Sequence, residues 1–298
     1  MFTISYIIAT KNRLSFLKIL FSQLLPGLQP DEEIVVIDGQ SNDGSVAFLE
    51  ALLKDGKIHQ FISEPDRNQA EAWNKGMLMA RGTIIKKLID DDVHDFAAIR
   101  TCRDFMLQNP RIDACISNTL ETNLTHPDAI SHSGRLPWFM DWKAGKVPSF
   151  SFGDVYLLLR RSSLSFIGVY DTTFKMIDWE YSLRMSYLGT NIAYYTGCNS
   201  MSVSTPGNVT STATKQLLKR EEKIGMLKYD YAGDKAGISK YSRLKIAVGT
   251  LLASGDSNKR TAVQIHNEAA LTKIYAGFYD KLRGYNAANS NWAFITNA

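Results

Sequence analysis

Cysteine is scarce: Cys102, Cys115 and Cys198 lie far apart and form no CxxC pair. That spacing excludes a disulfide-stapled small fold and a thiolate zinc site, and it suits a reducing compartment. Long apolar runs are missing as well. No stretch reaches the roughly 20 apolar residues that span a bilayer. Lys11, Asn12, Arg13 and Lys18 break the N-terminal apolar segment too early for a signal peptide, so the expected setting is the cytoplasm. Neither sign of charge dominates, since 34 Lys and Arg stand against 30 Asp and Glu for a formal net charge of +4. Nothing in that balance calls for a nucleic-acid partner, although substrates carrying phosphate are compatible with it. The sequence has no GxGxxG after its first apolar run, and no GxxxxGK[ST], GxSxG or HExxH. Dinucleotide hydride transfer and P-loop hydrolysis thereby lose their usual support.

What is present is ordinary globular material: 45% hydrophobic and 21% charged residues over 298 positions, enough for a full core. The β-branched and aromatic run at 3–9 (TISYIIA) reads as a buried strand ending in a polar loop at 10–13. Apolar residues then recur at helical spacing over 14–25, until Pro26 and Gly27 stop them. A second strand over 33–38 (EIVVID) meets a polar turn at 41–44. A helix over 45–53, a strand over 58–62, a helix over 70–80 and a strand over 83–89 (TIIKKLI) follow. Alternation of this kind predicts an α/β fold, a Rossmann-like, mostly parallel sheet with helices on both faces. The irregular stretch 118–151, rich in His, Pro, Trp and Gly, is expected to supply loops or a β-ribbon. A strand over 155–159 and a helix over 178–188 come next. Beyond 214 the pattern is helical to about 231 and again over 241–285. The expected division is thus an α/β domain at 1–214 and a helical C-terminal extension at 215–298. Much of the positive charge sits in that extension, at Lys215, Lys219, Arg220, Lys223, Lys228, Lys235, Lys240, Arg243 and Lys245. Such a run is either a solvated helical face or a peripheral contact with an anionic membrane or a diphosphate-linked lipid.

In open parallel sheets, ligands bind beyond the carboxyl ends of the strands. Thr10, Asp38 and the triplet Asp90, Asp91 and Asp92 all fall just past such ends, which gathers three polar clusters around one crevice. Three adjacent carboxylates repel one another. Mg²⁺ or Mn²⁺, which takes one or two carboxylates plus phosphate oxygens, would relieve that cost, and a solvated acidic turn or helix cap is the alternative. Asp38 is suited either to a base or ribose contact or to starting the turn at 41–44. Arg13 and Arg67 are suited to phosphate or to plain surface roles. Asp178 and Glu180 open the helix DWEYSLRMSYLG, where carboxylates cap favourably but where one could also serve as a general base. Trp179 between them offers a face for a sugar ring or for a core.

The ordered blocks SYIIATKNR (5–13), VVIDGQSNDGS (35–45), SEPDRNQAEAWNKGMLMARGTII (63–85), LIDDDV (88–93), LLLRRSSLSFIGVYDTTF (157–174) and IDWEYSLRMSYLG (177–189) resemble glycosyltransferase family 2. The resemblance implies the GT-A fold and an inverting transfer of a sugar from a nucleotide-diphosphate donor, with UDP expected as the nucleotide. It implies a hexosyl or N-acetylhexosaminyl group, a glycan or lipid-linked acceptor, and a place in surface-polysaccharide synthesis, in the cytoplasm or at the inner face of the membrane. By the same resemblance Thr10, Arg13, Asp38, Arg67 and Asp91 form the nucleotide-sugar set, Asp92 and then Asp90 hold the metal, and Asp178 is the base. Asp154, Trp179 and Glu180 are expected to shape the acceptor or sugar pocket. The chain departs from the family at Asn68, where Gly is common, at Ile177, where an acidic residue precedes the base, and at Phe152, Gly153 and Asp154, where a His is often found. A homo-oligomer is compatible with the sequence. Two other functions fit parts of it: a catalytically silent sugar-nucleotide-binding module and a sugar nucleotidyltransferase, whose Gly-rich first loop is absent here.

Overall fold

The computed structural model describes residues 1–205, 214–231 and 267–297. In chain order its elements are β1 (Ile4–Thr10), α1 (Leu14–Leu24), β2 (Glu32–Asp38), α2 (Ser45–Lys54), β3 (Gln60–Ser63), α3 (Gln69–Met79), β4 (Ile84–Lys87), β5 (Val93–His94), α4 (Phe96–Gln108) and β6 (Ala114–Asn123). They continue with β7 (Ser131–Ser133), α5 (Leu136–Lys143), β8 (Leu158–Arg160), α6 (Leu164–Ile167), α7 (Ile177–Tyr187), β9 (Ile192–Ser204), α8 (Lys215–Tyr229), α9 (Glu268–Ala288) and β10 (Phe294–Thr296).

Alternation along the strands sets the layers, because successive side chains point to opposite faces of a sheet. Ile7, Val35, Ile37 and Ile85 pack on one face with Trp73 and Met77 of α3 and Tyr181 of α7. Ile4, Tyr6, Ile8, Ile34 and Val36 pack on the other with α1 and α4, through Leu17, Leu20, Ile99, Cys102 and Met106. Both faces are covered, so these strands read as nearly continuous apolar runs. The sheet order is β10-β9-β6-β8-β4-β1-β2-β3, with β5 on β9 and β7 on β6. β4, β1, β2 and β3 run parallel, and β6 and β9 form a second parallel pair. β8 lies antiparallel between the two groups.

This is the mixed, mostly parallel α/β arrangement expected. The stretch expected to be loops or a ribbon holds a β6–β7 ribbon, with Thr119 opposite Ser133, and the helix α5. The strand expected over 155–159 starts only at Leu158, because the Leu157 amide donates to the Asp154 carbonyl at 3.1 Å and closes a turn. Of the helix expected over 241–285, residues 241–266 lie outside the described residues. The remainder belongs to α9, whose Leu271, Tyr275, Phe278, Tyr279 and Leu282 form an apolar stripe at helical spacing. That stripe packs on Phe16 and Ile19 of α1 and on Val93, Met201 and Val203. β10 then joins the sheet beside β9.

The amino end of β2 carries two wholly buried carboxylates, Glu32 and Glu33, which point to opposite faces. Glu32 is gripped by Arg100 at 2.7 Å from both Nε and Nη2, by Arg103 Nη1 at 3.2 Å, and by the Tyr6 hydroxyl at 3.1 Å. Glu33 accepts from Ser5, Gln60 and Arg81. Removing one member of a buried ion pair leaves the other charge uncompensated. Glu32→Ala is therefore expected to lower unfolding free energy in urea by about 3 kcal/mol. Arg81→Ala, whose own side chain is 55% exposed, is expected to cost about 1 kcal/mol or less.

Candidate active site

The carboxyl ends of β1, β2 and β4 converge. Thr10 and Asp38 are register partners on adjacent strands, and the chain leaving β4 turns at Asp90, Asp91 and Asp92. All three acidic residues are buried. Asp90 accepts the Thr10 hydroxyl at 2.8 Å and pairs with Arg13 Nε at 2.8 Å. Asp91 pairs with Arg13 Nη2 at 2.5 Å and accepts the Thr205 hydroxyl at 2.5 Å, while its carbonyl accepts the Tyr275 hydroxyl of α9 at 2.6 Å. Asp92 accepts the Val203 amide at 2.7 Å. Burial raises the Asp90 carboxyl to about 6 against the pull of Arg13. Asp92 is raised well above the ordinary carboxylate range by burial and by the neighbouring charges of Asp91 and Asp154.

A second group faces the crevice from β4 and α7. Lys87 pairs with Asp154, which also accepts the Tyr170 hydroxyl at 3.2 Å. The Lys87 ammonium lies 4.2 Å from the Trp73 ring centre and 4.9 Å from that of Tyr170. Its neighbour Lys86 is wholly buried, donates to the Val155 carbonyl, and is pulled down by burial to about 7. Asp178 stands in the first turn of α7, and burial and then the Asp154 charge raise its carboxyl to about 6. Lys87 and the amides at the start of α7 oppose that rise without cancelling it.

The crevice sits where an α/β sheet holds its ligand, and the comparisons agree on what kind of protein this is. The family model described as Glycosyl transferase family 2 matches residues 5–168, more than half of the chain. The chain belongs to glycosyl transferase family 2. No curated protein sequence matches it. Among solved structures it is similar to residues 1–349 of S. aureus TarS in complex with UDP-GlcNAc, at a TM-score of 0.58 and 15% identity. That alignment covers 84% of this chain and 71% of TarS 1–349. It is also similar to the mannosyltransferase PcManGT of Pyrobaculum calidifontis in complex with GDP-Man and Mn2+, at a TM-score of 0.53 and 13% identity, covering 96% and 75%. Identities this low speak to the fold, which is GT-A-like.

Within this family 2 glycosyltransferase, the expected site residues part company. Thr10, Arg13, Asp90 and Asp91 form one cluster, joined by the Thr10–Asp90 hydrogen bond and the ion pairs of Arg13. Asp38 is buried beside them, but its carboxylate is engaged by the Ser41 amide and the Ser63 hydroxyl, each at 2.8 Å, and by the Ser41 hydroxyl. Its visible role is to hold the turn, the alternative weighed for it above. Arg67 is not drawn into the cluster: its side chain is 81% exposed and pairs with Glu71 at 3.2 Å. Nearby, Asn68 departs from the family pattern and caps α3 by accepting the Glu71 amide at 3.0 Å.

Two residues expected to shape a sugar pocket face α8 instead. Glu180 is buried against Arg184 at 2.7 Å and the Tyr229 hydroxyl. Trp179 packs on Gly225, where an added Cβ would come within 2.4 Å of the indole, and edge-on to Tyr231. Residues at i and i+2 on a helix do not share a face, so Asp178 and Glu180 cannot both serve the crevice. From α8, Glu221 accepts the Lys175 and Met176 amides at 2.6 and 2.9 Å and anchors the entry to the Asp178 turn. Sequence reasoning missed Glu221, Tyr275, Tyr170 and Lys87. Only Lys87 left a signal, two lysines inside an otherwise apolar strand.

No three His, Cys, Asp or Glu side chains among the described residues are grouped to hold a metal. Of the two expected ligands, Asp90 accepts from Thr10 and pairs with Arg13, and Asp92 accepts the Val203 amide. One or two carboxylates fit Mg²⁺ or Mn²⁺ that completes its shell with phosphate oxygens and water, rather than an all-protein cage.

The raised Asp178 carboxyl has a consequence for stability. A folded-state value of about 6 exceeds the unfolded value, so the folded chain binds the extra proton between the two and loses stability as pH rises through that window. Asp178→Asn, neutral at every pH, is therefore expected to match the parent near pH 4. At pH 7.5 it should be more stable, by about 1–2 kcal/mol, as read by urea unfolding at both pH values.

Proposed function

We propose that this glycosyltransferase moves a hexosyl or N-acetylhexosaminyl group from a nucleoside-diphosphate donor, UDP foremost, to a hydroxyl of a glycan or lipid-linked acceptor, with inversion. The observation that supports this best is Asp178. Among the described residues no side chain hydrogen-bonds its carboxylate, which opens α7 beside the crevice, and it is held near the acidity that suits a base at neutral pH. In the step, Asp178 takes the acceptor proton as the acceptor oxygen bonds the anomeric carbon. The bond from that carbon to the diphosphate breaks on the opposite face, and the carbon gains oxocarbenium-like charge in passing. Thr10, Arg13 and Asp91 would meet the nucleotide-sugar donor, and Arg13 would exchange its carboxylate partners for phosphate. Asp92 would hold a divalent cation, which would supply charge to neutralise the departing diphosphate. Mn2+ accompanies GDP-Man in the PcManGT structure, which makes Mn²⁺ the first cation to try.

Surface-polysaccharide synthesis is the setting that the family resemblance favours. No helix among the described residues is long and apolar enough to cross a membrane. A peripheral contact would use the basic side of α8, where Lys219 and Arg220 are exposed. Lys228, from the same run, pairs with Asp171 at 3.3 Å, and Lys235, Lys240, Arg243 and Lys245 lie outside the described residues.

The test is a thermal-shift panel of UDP- and GDP-sugars with and without Mn²⁺. At a hundredfold excess over Kd a true donor stabilises by about 2.7 kcal/mol, so Tm should rise only when metal is present. Asp92→Asn should abolish the metal-dependent part. Indifference to every nucleotide sugar, or a full metal effect in Asp92→Asn, would contradict the reading.

A further inference from the structure

Lys86 and Lys87 are adjacent in β4 and so enter opposite cores. Burying an ammonium group costs several kcal/mol unless something nearby needs the charge. Lys87 is 6% exposed, pairs with Asp154, and sits over the rings of Trp73 and Tyr170. Tyr170 is itself fixed: its carbonyl accepts Asn74 Nδ2 at 2.9 Å and its amide donates to Asn74 Oδ1 at 2.8 Å. Its ring lies 4.6 Å from that of Tyr181 on α7. Tyr181 follows Asp178 by three residues, which places both on one face of the helix. Lys87, Asp154, Tyr170 and Tyr181 also line one small cavity of about 20 Å³, room for roughly one water. The cage and the Asp178 turn are therefore parts of one packed unit.

We propose that Lys87 is a positioning residue for sugar transfer, held in the Trp73–Tyr170 cage so that its charge offsets Asp154 and leaves Asp178 free to stay ionised. This rests on the reading of Asp178 as the base. Two carboxylates at one buried site cannot both ionise without a compensating cation. Among the described residues the charged and titratable groups around Asp178 are these. Asp154 raises its proton affinity and Lys87 lowers it, while the phenols of Tyr156 and Tyr170 lie within its field as neutral groups. Arg135 acts on the Tyr156 phenol. On its own helix Glu180 is spent on Arg184 and Tyr229, and Glu221 of α8 is spent on the two amides before the turn.

The titration that tests Lys87 needs no substrate. With aspartate labelled at the carboxyl carbon, the Asp178 resonance is assigned by its loss in Asp178→Asn and titrated by NMR. Its midpoint should lie near 6 in the parent. In Lys87→Met it should rise by about one unit or more, and in Lys87→Arg it should return toward the parent value. Asp154→Asn removes the opposing charge and should lower the midpoint by about one unit, which keeps the test decisive where Lys87→Met does not fold. A folded Lys87→Met with an unmoved midpoint overturns the proposal, as does an unmoved midpoint in Asp154→Asn. Sugar transfer by Asp178→Asn separates the two claims: if that variant is inactive, an unmoved midpoint removes Lys87 alone, whereas retained transfer removes the base and the proposal with it.

Discussion

Crowded negative charge at the carboxyl edge of the sheet is the constraint on which the rest of the structure turns. Asp90, Asp91, Asp92, Asp154 and Asp178 gather there against Arg13, Lys86 and Lys87. Each group feels the next, from Arg13 through the acidic triplet to Asp154 and Asp178. With Lys86 pulled down to about 7, the cations fall short of the carboxylates at neutral pH. A ribose, a diphosphate with its divalent cation and an acceptor proton are the kinds of partner that such a surplus accommodates. The fold keeps the surplus in place from outside the crevice: Val203 and Thr205 at the end of β9 and Tyr275 of α9 bind the triplet, and Glu221 of α8 binds the approach to Asp178.

These outer contacts give the C-terminal third a structural meaning. The family match ends at residue 168, before the Asp178 turn, and Glu221 of α8 adds to the anchorage of that turn from beyond the match. Gly225 lets Trp179 close on α8, and the Tyr229 hydroxyl reaches Glu180 on the far side of α7. β10 and α9 complete one side of the sheet instead of standing apart from it.

Much of this was legible in advance, for physical reasons that also explain the gaps. Parallel strands buried on both faces announce themselves as apolar runs, and the residues just past their ends then locate the crevice, so Thr10, Asp38 and the acidic triplet could be placed without coordinates. β6 and β9 are different. Their interiors carry the buried polar residues Ser117, Asn118, Thr119, Asn199 and Ser200, with hydrogen bonds such as that of the Thr119 hydroxyl to the Ser200 carbonyl and of Asn199 Nδ2 to the Tyr156 carbonyl, so no apolar alternation marks them. Local spacing also cannot report what a helix faces when the partner arrives 40 or more residues later, which is why the contacts of Trp179 and Glu180 with α8 cannot be read from the sequence. Arg67 stands apart from the cluster for a simpler reason: Glu71, at i+4, pairs with it.

The central claim is that Asp178 removes the acceptor proton. It is tested most directly by the turnover of Asp178→Asn with whichever donor the parent protein binds, alongside donor affinity measured separately. Substitution of a general base is expected to slow transfer by about 10²–10⁴-fold, with donor binding unchanged because the carboxylate acts only on the acceptor. Transfer at near-parental rates in that variant would contradict the account.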